Sequence, residues 1–513
     1  MKCGKPREET TARWHLQTST APRCLLAHVV KRNVHILGDD SHSVRQFNEV
    51  GQVNAIIDIR KLLLFCVAIL MITPALSVAR IETPRTIRVP QDFATIQEAI
   101  NNASEGDTVY VSAGTYYEHL IVNKTISLVG ENNTTTIIDG SNGGTVVRIT
   151  ANDVNVSDFK LQNSGWAWER SGVEIQCANN CRIENNVLFH TCHNIRLNYS
   201  RDCIVVGNRI DHITPMAYGI RLTESVNCTV TNNFVSKNIG GIVFENSSSC
   251  MVFGNDVTEN SDGIRLYSSS SNNEVFANNV YANDYCGMIY PVPSMPPPLG
   301  NAVFHNNFVG NNKSFIIQSG GNAWDNGVEG NCWTDYAGAD LDHNGIGDTP
   351  HSLEMGKDRY PLMGPFSEFS FQSNEKTYTA ATVCNSNITN FSFETANNES
   401  KIEFDVNSTT NVTGFCRIAV PTELMNRPFT VLVDDNVGSN ATLKALQETS
   451  SLTRTSLYFS YTPGPHKIVL VSGFVPSSFW DAFLIPILLV GSAIGACLVI
   501  IVFRRKLRAR HAS

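Results

Sequence analysis

The segment Asp340-Leu-Asp342-His-Asn344-Gly345-Ile346-Gly347-Asp348 places side-chain oxygens at positions 1, 3, 5 and 9 of a short loop, and a backbone carbonyl at position 7. A hard cation such as calcium is held by clustered oxygens, and a glycine at position 6 lets the chain turn tightly around it. Asp340, Asp342, Asn344, Ile346 (through its carbonyl) and Asp348 are therefore the expected ligands of a structural calcium ion. The competing reading is an Asx-rich turn that closes a domain without metal. Position 12 is His351 rather than Glu, which lowers the expected affinity.

A second group, His190, Cys192, His193, His212 and Met216, combines imidazole, thiol and thioether, ligand types that suit copper. His190 and His212 lie 22 residues apart, one period of a repeat described below. Later copies of that position read Lys237, Glu259 and Ala282, as an ordinary exposed turn would. A third group is a surface. Arg196, Arg221, Arg265 and Tyr267 recur at matching places in the repeat, and Trp166 and Trp168 precede it. Guanidinium donors and aromatic faces of this kind can hold an extended polysaccharide by hydrogen bonds and stacking. A plain solvated face is the alternative. For catalysis, a lyase needs a base beside a cation that stabilises a carboxylate intermediate. Glu174 with Arg196 and Arg221 is the nearest candidate, and stacked salt bridges explain it equally well.

These residues are positioned by a repeat of about 22 residues. Gly172-Val-Glu-Ile-Gln, Asn194-Ile-Arg-Leu-Asn, Gly219-Ile-Arg-Leu-Thr, Gly241-Ile-Val-Phe-Glu and Gly263-Ile-Arg-Leu-Tyr start 22, 25, 22 and 22 residues apart. Each unit carries a second strand beginning at Cys181, Cys203, Cys228, Cys250 or Asn273. Apolar and polar residues alternate, so each strand buries one face. Such short strands form a core only when stacked coil on coil. Asn186, Asn208, Asn233, Asn255, Asn278 and Asn306 share one column, expected to take left-handed turns and to bond side chain to side chain along the stack. Cys181, Cys203, Cys228 and Cys250 share another. Buried thiols are the expectation there, because in-register parallel side chains suit disulfide geometry poorly. Thr95-Ile-Gln-Glu98 is a capping box, opening a short helix that plugs the first coil.

Thr95-Ile-Gln-Glu-Ala-Ile100, Gly106-Asp-Thr-Val-Tyr-Val111, Gly114-Thr-Tyr-Tyr-Glu118 and Lys124-Thr-Ile-Ser-Leu-Val-Gly130 resemble the opening coils of the pectin-lyase-like superfamily. The Asn-ladder repeats are similar to its NosD-like branch (periplasmic copper-binding protein NosD), common in archaeal surface proteins. The segments Gly330–Tyr336 and Asp358–Met363 look like the end of that β-helix. The resemblance implies a right-handed parallel β-helix over roughly 85–365 and lends interest to copper at the His column. It implies little about activity, since the superfamily includes lyases, hydrolases, esterases, epimerases and non-enzymes. The paired-Asp motifs of polygalacturonases and the Asp-Pro-His-Asp of alginate epimerases are not found in this sequence. The loop at Asp340 resembles calcium loops of dockerin or thrombospondin type.

The whole chain of 513 residues is too long for one core. An all-β chain is expected: a right-handed parallel β-helix at 80–366, a β-sandwich stalk at 367–473 and a C-terminal transmembrane helix at 479–503. In the sandwich, Cys384 and Cys416 are the expected disulfide. Ala482–Phe503 is free of charge and is followed at once by Arg504, Arg505 and Lys506, which places the basic tail 504–513 in the cytoplasm. Residues 61–79 read as a signal peptide or signal anchor behind a leader at 1–60, itself disordered or the product of a mis-assigned start. Fifteen Asn-x-Ser/Thr sequons, from Asn102 to Asn440, fall in the part expected outside the cell. A net charge of −8 gives no reason to propose nucleic acid as a partner. The expected protein binds glycans or builds the cell envelope, with a polysaccharide lyase or hydrolase and a copper-handling protein as alternatives.

Overall fold

The computed structural model describes residues 83–211, 217–290, 297–317, 320–373, 375–396, 399–408, 412–425, 429–434, 436–437, 441–442 and 453–472. The leader, the signal segment and the C-terminal apolar run lie outside them. Among the described residues no helix is long and apolar enough to cross a membrane.

The repeats wind into a parallel β-helix with three faces. Sheet I has ten strands, from Thr86–Val89 to Ala302–Phe304; sheet II has nine, from Leu120–Val122 to Phe315–Ile317; sheet III has ten, from Gly114–Tyr116 to Cys332–Trp333. Each strand pairs in parallel with the equivalent strand one coil away, as in Ile195 against Ile220 and Ile220 against Ile242. The inward Val, Ile and Leu side chains of all three faces make one continuous buried core. Helix α1 (Ile96–Asn102) closes the first coil by burying Ile96, Ala99 and Ile100, and the Glu98 amide donates to the Thr95 hydroxyl at 3.2 Å. The Glu118 carboxylate adds a second cap, accepting from the amides of Ile96 and Gln97 at 2.9 Å each.

The Asn column is a ladder, with one correction. Each side-chain NH2 donates to the carbonyl of the next Asn at 2.9–3.2 Å from Asn186 through Asn306, and on to Asn331. The left-handed residue, however, is the one before it: Asn185, Gly207, Asn232, Gly254, Ala277 and His305 have φ between 53° and 65°. The ladder Asn is buried, because its amide supplies bonds that the sharply turned backbone lacks. A second ladder joins Asn238, Asn260, Asn283 and Asn311, and a third joins Asn273, Asn301 and Asn322. The cysteines occupy the early coils of this third column. Cys181, Cys203, Cys228 and Cys250 are buried free thiols that donate to backbone carbonyls.

After the hairpin His351–Leu353/Gly356–Asp358, two five-stranded antiparallel sheets follow from Phe366 onward and bury a second core around Ile402, Phe404, Ile418 and Phe459. Asn307 of the solenoid exchanges two 2.7 Å hydrogen bonds with the Phe366 backbone. Glu329 accepts from His305 at 2.8 Å and pairs with Arg417 of the sandwich at 2.9 Å.

Candidate functional site

Sheet II carries the outward side chains that matter. Its register stacks Arg148, Glu174, Arg196, Arg221, Val243 and Arg265 in one column, and Gln176, Asn198, Thr223, Glu245 and Tyr267 in the next. The alternation of the repeat explains this, because Ile and Leu on either side of each column residue point into the core. Over the early coils the face forms a cleft of ≈ 490 Å³ lined by Arg148, Glu169, Glu174, Arg196, Tyr199 and Arg221, with Gln176, Asn198 and Thr223.

Glu174 lies at its floor, only 2% exposed. Its carboxylate pairs with Arg148 Nε at 2.9 Å and with Arg196 Nη2, and accepts from Asn198 Nδ2 at 3.0 Å. Two guanidinium groups thus compensate one buried charge, the arrangement a buried carboxylate requires. Arg221 pairs with Glu245 at 2.5 Å and lies 5.5 Å from the ring centres of both Trp168 and Tyr218. These contacts fix Arg196 and Arg221 in place while their Nε groups remain without a hydrogen-bond partner. Trp166 and Trp168 are half exposed on the loop before the strand Ser171–Gln176, and Tyr199 is 63% exposed at the cleft. Arg265 and Tyr267 stand apart. Arg265 is buried against Asp262, donates to the Tyr267 hydroxyl at 2.9 Å, and neither residue lines the cleft. Sequence reasoning missed Arg148, Glu169 and Tyr199. Tyr199 follows a repeat strand and Arg148 precedes the well-formed copies, so neither stood in a counted column.

Of the histidine group only His190, Cys192 and His193 are described. His190 takes a left-handed turn and stacks on Phe189 at 3.8 Å, whereas His193 is buried on the face of sheet II between Trp168 and Tyr218. His212 and Met216 lie outside the described residues. Among those described, no three His, Cys, Asp or Glu side chains are placed to hold a metal ion. Burial, with Arg221 and Arg196 nearby, pushes the His193 imidazole down to about 3.

The Asp340 loop is tightly turned, with Gly345 at φ 78°. Asp340 accepts from the amides of Asn344 and Gly345, Asp348 from Leu341, and Asn344 from Ile346. Burial first, and the Asp342 carboxylate beside it, push the Asp340 carboxyl above its ordinary value. The loop also touches the sandwich, where Arg417 donates to the Asn344 carbonyl at 3.2 Å.

Three parallel faces, laddered asparagines and a helical plug define a parallel β-helix. Residues 100–338 match the family described as periplasmic copper-binding protein (NosD). No curated protein matches the chain. Similar solved structures include alginate lyase from Paenibacillus sp. str. FPU-7, at 15% identity over 48% of this chain and 97% of that one, TM-score 0.35. Pectate lyase Pel9A shares 12% identity over 52% and 84%, TM-score 0.38. PfbA, a surface adhesin of Streptococcus pneumoniae, shares 13% over 46% and 79%, TM-score 0.34. These are distant likenesses, and no activity transfers from them.

Proposed function

We propose that the cleft on sheet II binds an extended polysaccharide bearing carboxylates, and that the chain presents it outside the cell from a C-terminal membrane anchor. The observation that carries this reading is the cleft itself. Three guanidinium groups, held by ion pairs and ring contacts, meet two carboxylates on a flat face rimmed by Tyr199 and the Trp168 loop. Arginine forks recognise carboxylates, and exposed rings stack on pyranose faces. Glu174 serves here to hold the arginines, since its oxygens are engaged by Arg148, Arg196 and Asn198.

Passing the purified chain over immobilised polygalacturonate and over neutral dextran tests the reading. Retention on the acidic polymer that weakens with salt supports it, and equal passage through both removes it. Assaying the eluate for unsaturated or new reducing ends separates a binder from a lyase or hydrolase, the reading that Glu169 beside Glu174 would otherwise favour. We further propose that the Asp340–Asp348 loop gathers around a structural calcium ion, a reading that rests on the spacing of its oxygens and the tight turn at Gly345, its carboxylates being not yet grouped for a metal.

A further inference from the structure

Beside the cleft lies a group of polar atoms that the ion pairs do not use. His193 is 0% exposed, yet neither ring nitrogen has a hydrogen-bond partner of normal geometry. Ser171, its neighbour in register on the preceding coil, is equally buried and its hydroxyl is likewise unpartnered. The Trp168 backbone is a polar neighbour of the His193 ring, outside normal hydrogen-bond geometry, and such poorly satisfied buried groups are uncommon because each loses its water without full replacement. Burial keeps the imidazole neutral, so it offers one donor and one acceptor.

Two rings cover His193, and one of them comes from an exposed loop. Trp168 sets its edge on the His193 ring, with centroids 4.7 Å apart, while Tyr218 stacks on His193 at 5.5 Å. The loop carrying Trp168 begins at Gly165, where φ is 84°, and ends at Arg170, tied to the Asn142 carbonyl at 2.7 Å. Residues 166–169 are all exposed, and Glu169 of this loop already lines the cleft. Arg221, beneath the Trp168 ring, lines it too.

We propose that Ser171 and His193 form a covered subsite of the cleft, roofed by Trp168, which hydrogen-bonds hydroxyl groups of a bound sugar once the Trp168 side chain swings aside. The inference rests on the polysaccharide reading above. A sugar hydroxyl both donates and accepts, as do a neutral imidazole and a serine hydroxyl. The displaced indole then has a pyranose face to stack on.

The test uses the full chain with polygalacturonate oligosaccharides as probe. His193→Phe keeps the ring stack and removes both nitrogens; Ser171→Ala removes the hydroxyl. A purely structural role predicts unchanged binding, since replacing an unpaired buried polar group by an apolar one of similar shape is neutral or stabilising. The subsite predicts melting temperatures equal to or above wild type together with at least tenfold weaker binding in each variant. If His193→Phe fails to fold, Ser171→Ala decides alone. Wild-type affinity in the folded variants overturns the subsite while leaving the cleft standing; absence of binding by the wild type overturns both. A second measurement needs no glycan: diethyl pyrocarbonate, read by peptide mapping, should modify His193 in Trp168→Ala and spare it in wild type. Equal protection in both would show that Trp168 is not the roof.

Discussion

At the residue scale, His193 shows what a repeat conceals. Strict alternation would turn it inward with Ile195, but the pairing runs Ser171 to His193 and Val173 to Ile195 while Gly172 faces Leu188 in the core. Two successive positions therefore face inward, and His193 emerges beneath Trp168. The glycines at 172, 219, 241 and 263 were the available signal, since only a small residue fits there. The depressed imidazole has a consequence for acid stability. Its folded value lies near 3 against 6.5 when unfolded, so the unfolded chain binds more protons between these values. Its contribution is complete above pH 6.5 and is lost as pH falls toward 3. Denaturant titrations across that window should show a shallower decline for His193→Phe than for wild type; parallel curves would contradict a neutral buried imidazole. The oxygen spacing of the Asp340 loop carries a separate prediction. Calcium should raise the melting temperature by several degrees and Asp340→Asn should abolish the rise, whereas identical melting in calcium and chelator would reduce the loop to an Asx turn.

At the element scale, the solenoid was legible because its period, its alternation and its Asn column all follow from stacking identical coils. The division of labour inside the turn was not. Sequence cannot distinguish the residue that adopts φ > 0 from the neighbour whose amide repairs the turn, since Asn suits both tasks. Asn233 donates to Asn255, to the Val205 carbonyl and to the Thr231 carbonyl, and accepts from Asn208. Asn233→Ala should therefore cost about 2–4 kcal/mol, measured by denaturant unfolding; a loss below about 0.5 kcal/mol would mean that the ladder is dispensable. In the sandwich, Cys384 and Cys416, expected to be bridged, are free thiols that face one another across antiparallel strands, and the Asn385 amide bonds the Phe415 carbonyl at 3.3 Å. That bond makes them a non-hydrogen-bonded pair, in which Cβ atoms approach closely enough for a disulfide. Non-reducing peptide mapping of protein from an oxidising compartment should recover the linked peptides, and two free thiols there would refute the pairing. The cysteine column of the solenoid should remain reduced in the same map.

At the scale of the whole molecule, a scaffold with a continuous core presents a long flat face, and the sandwich is fastened to its end by Asn307, Phe366, Glu329 and Arg417. The solenoid could be reasoned from periodicity; the position of the cleft could not. It depends on where the Trp168 loop and Tyr199 rise beside three arginines, and loops carry no period. Among the arginines singled out by their repeat, Arg196 and Arg221 line the cleft while Arg265 is consumed by Asp262. That difference offers the most direct test of the account. Affinity electrophoresis of the full chain through polygalacturonate should show retardation that drops at least tenfold in the Arg196→Ala, Arg221→Ala double variant and is little changed in Tyr267→Phe. Retardation untouched by the double variant, with the fold intact by circular dichroism, would contradict a binding cleft on sheet II.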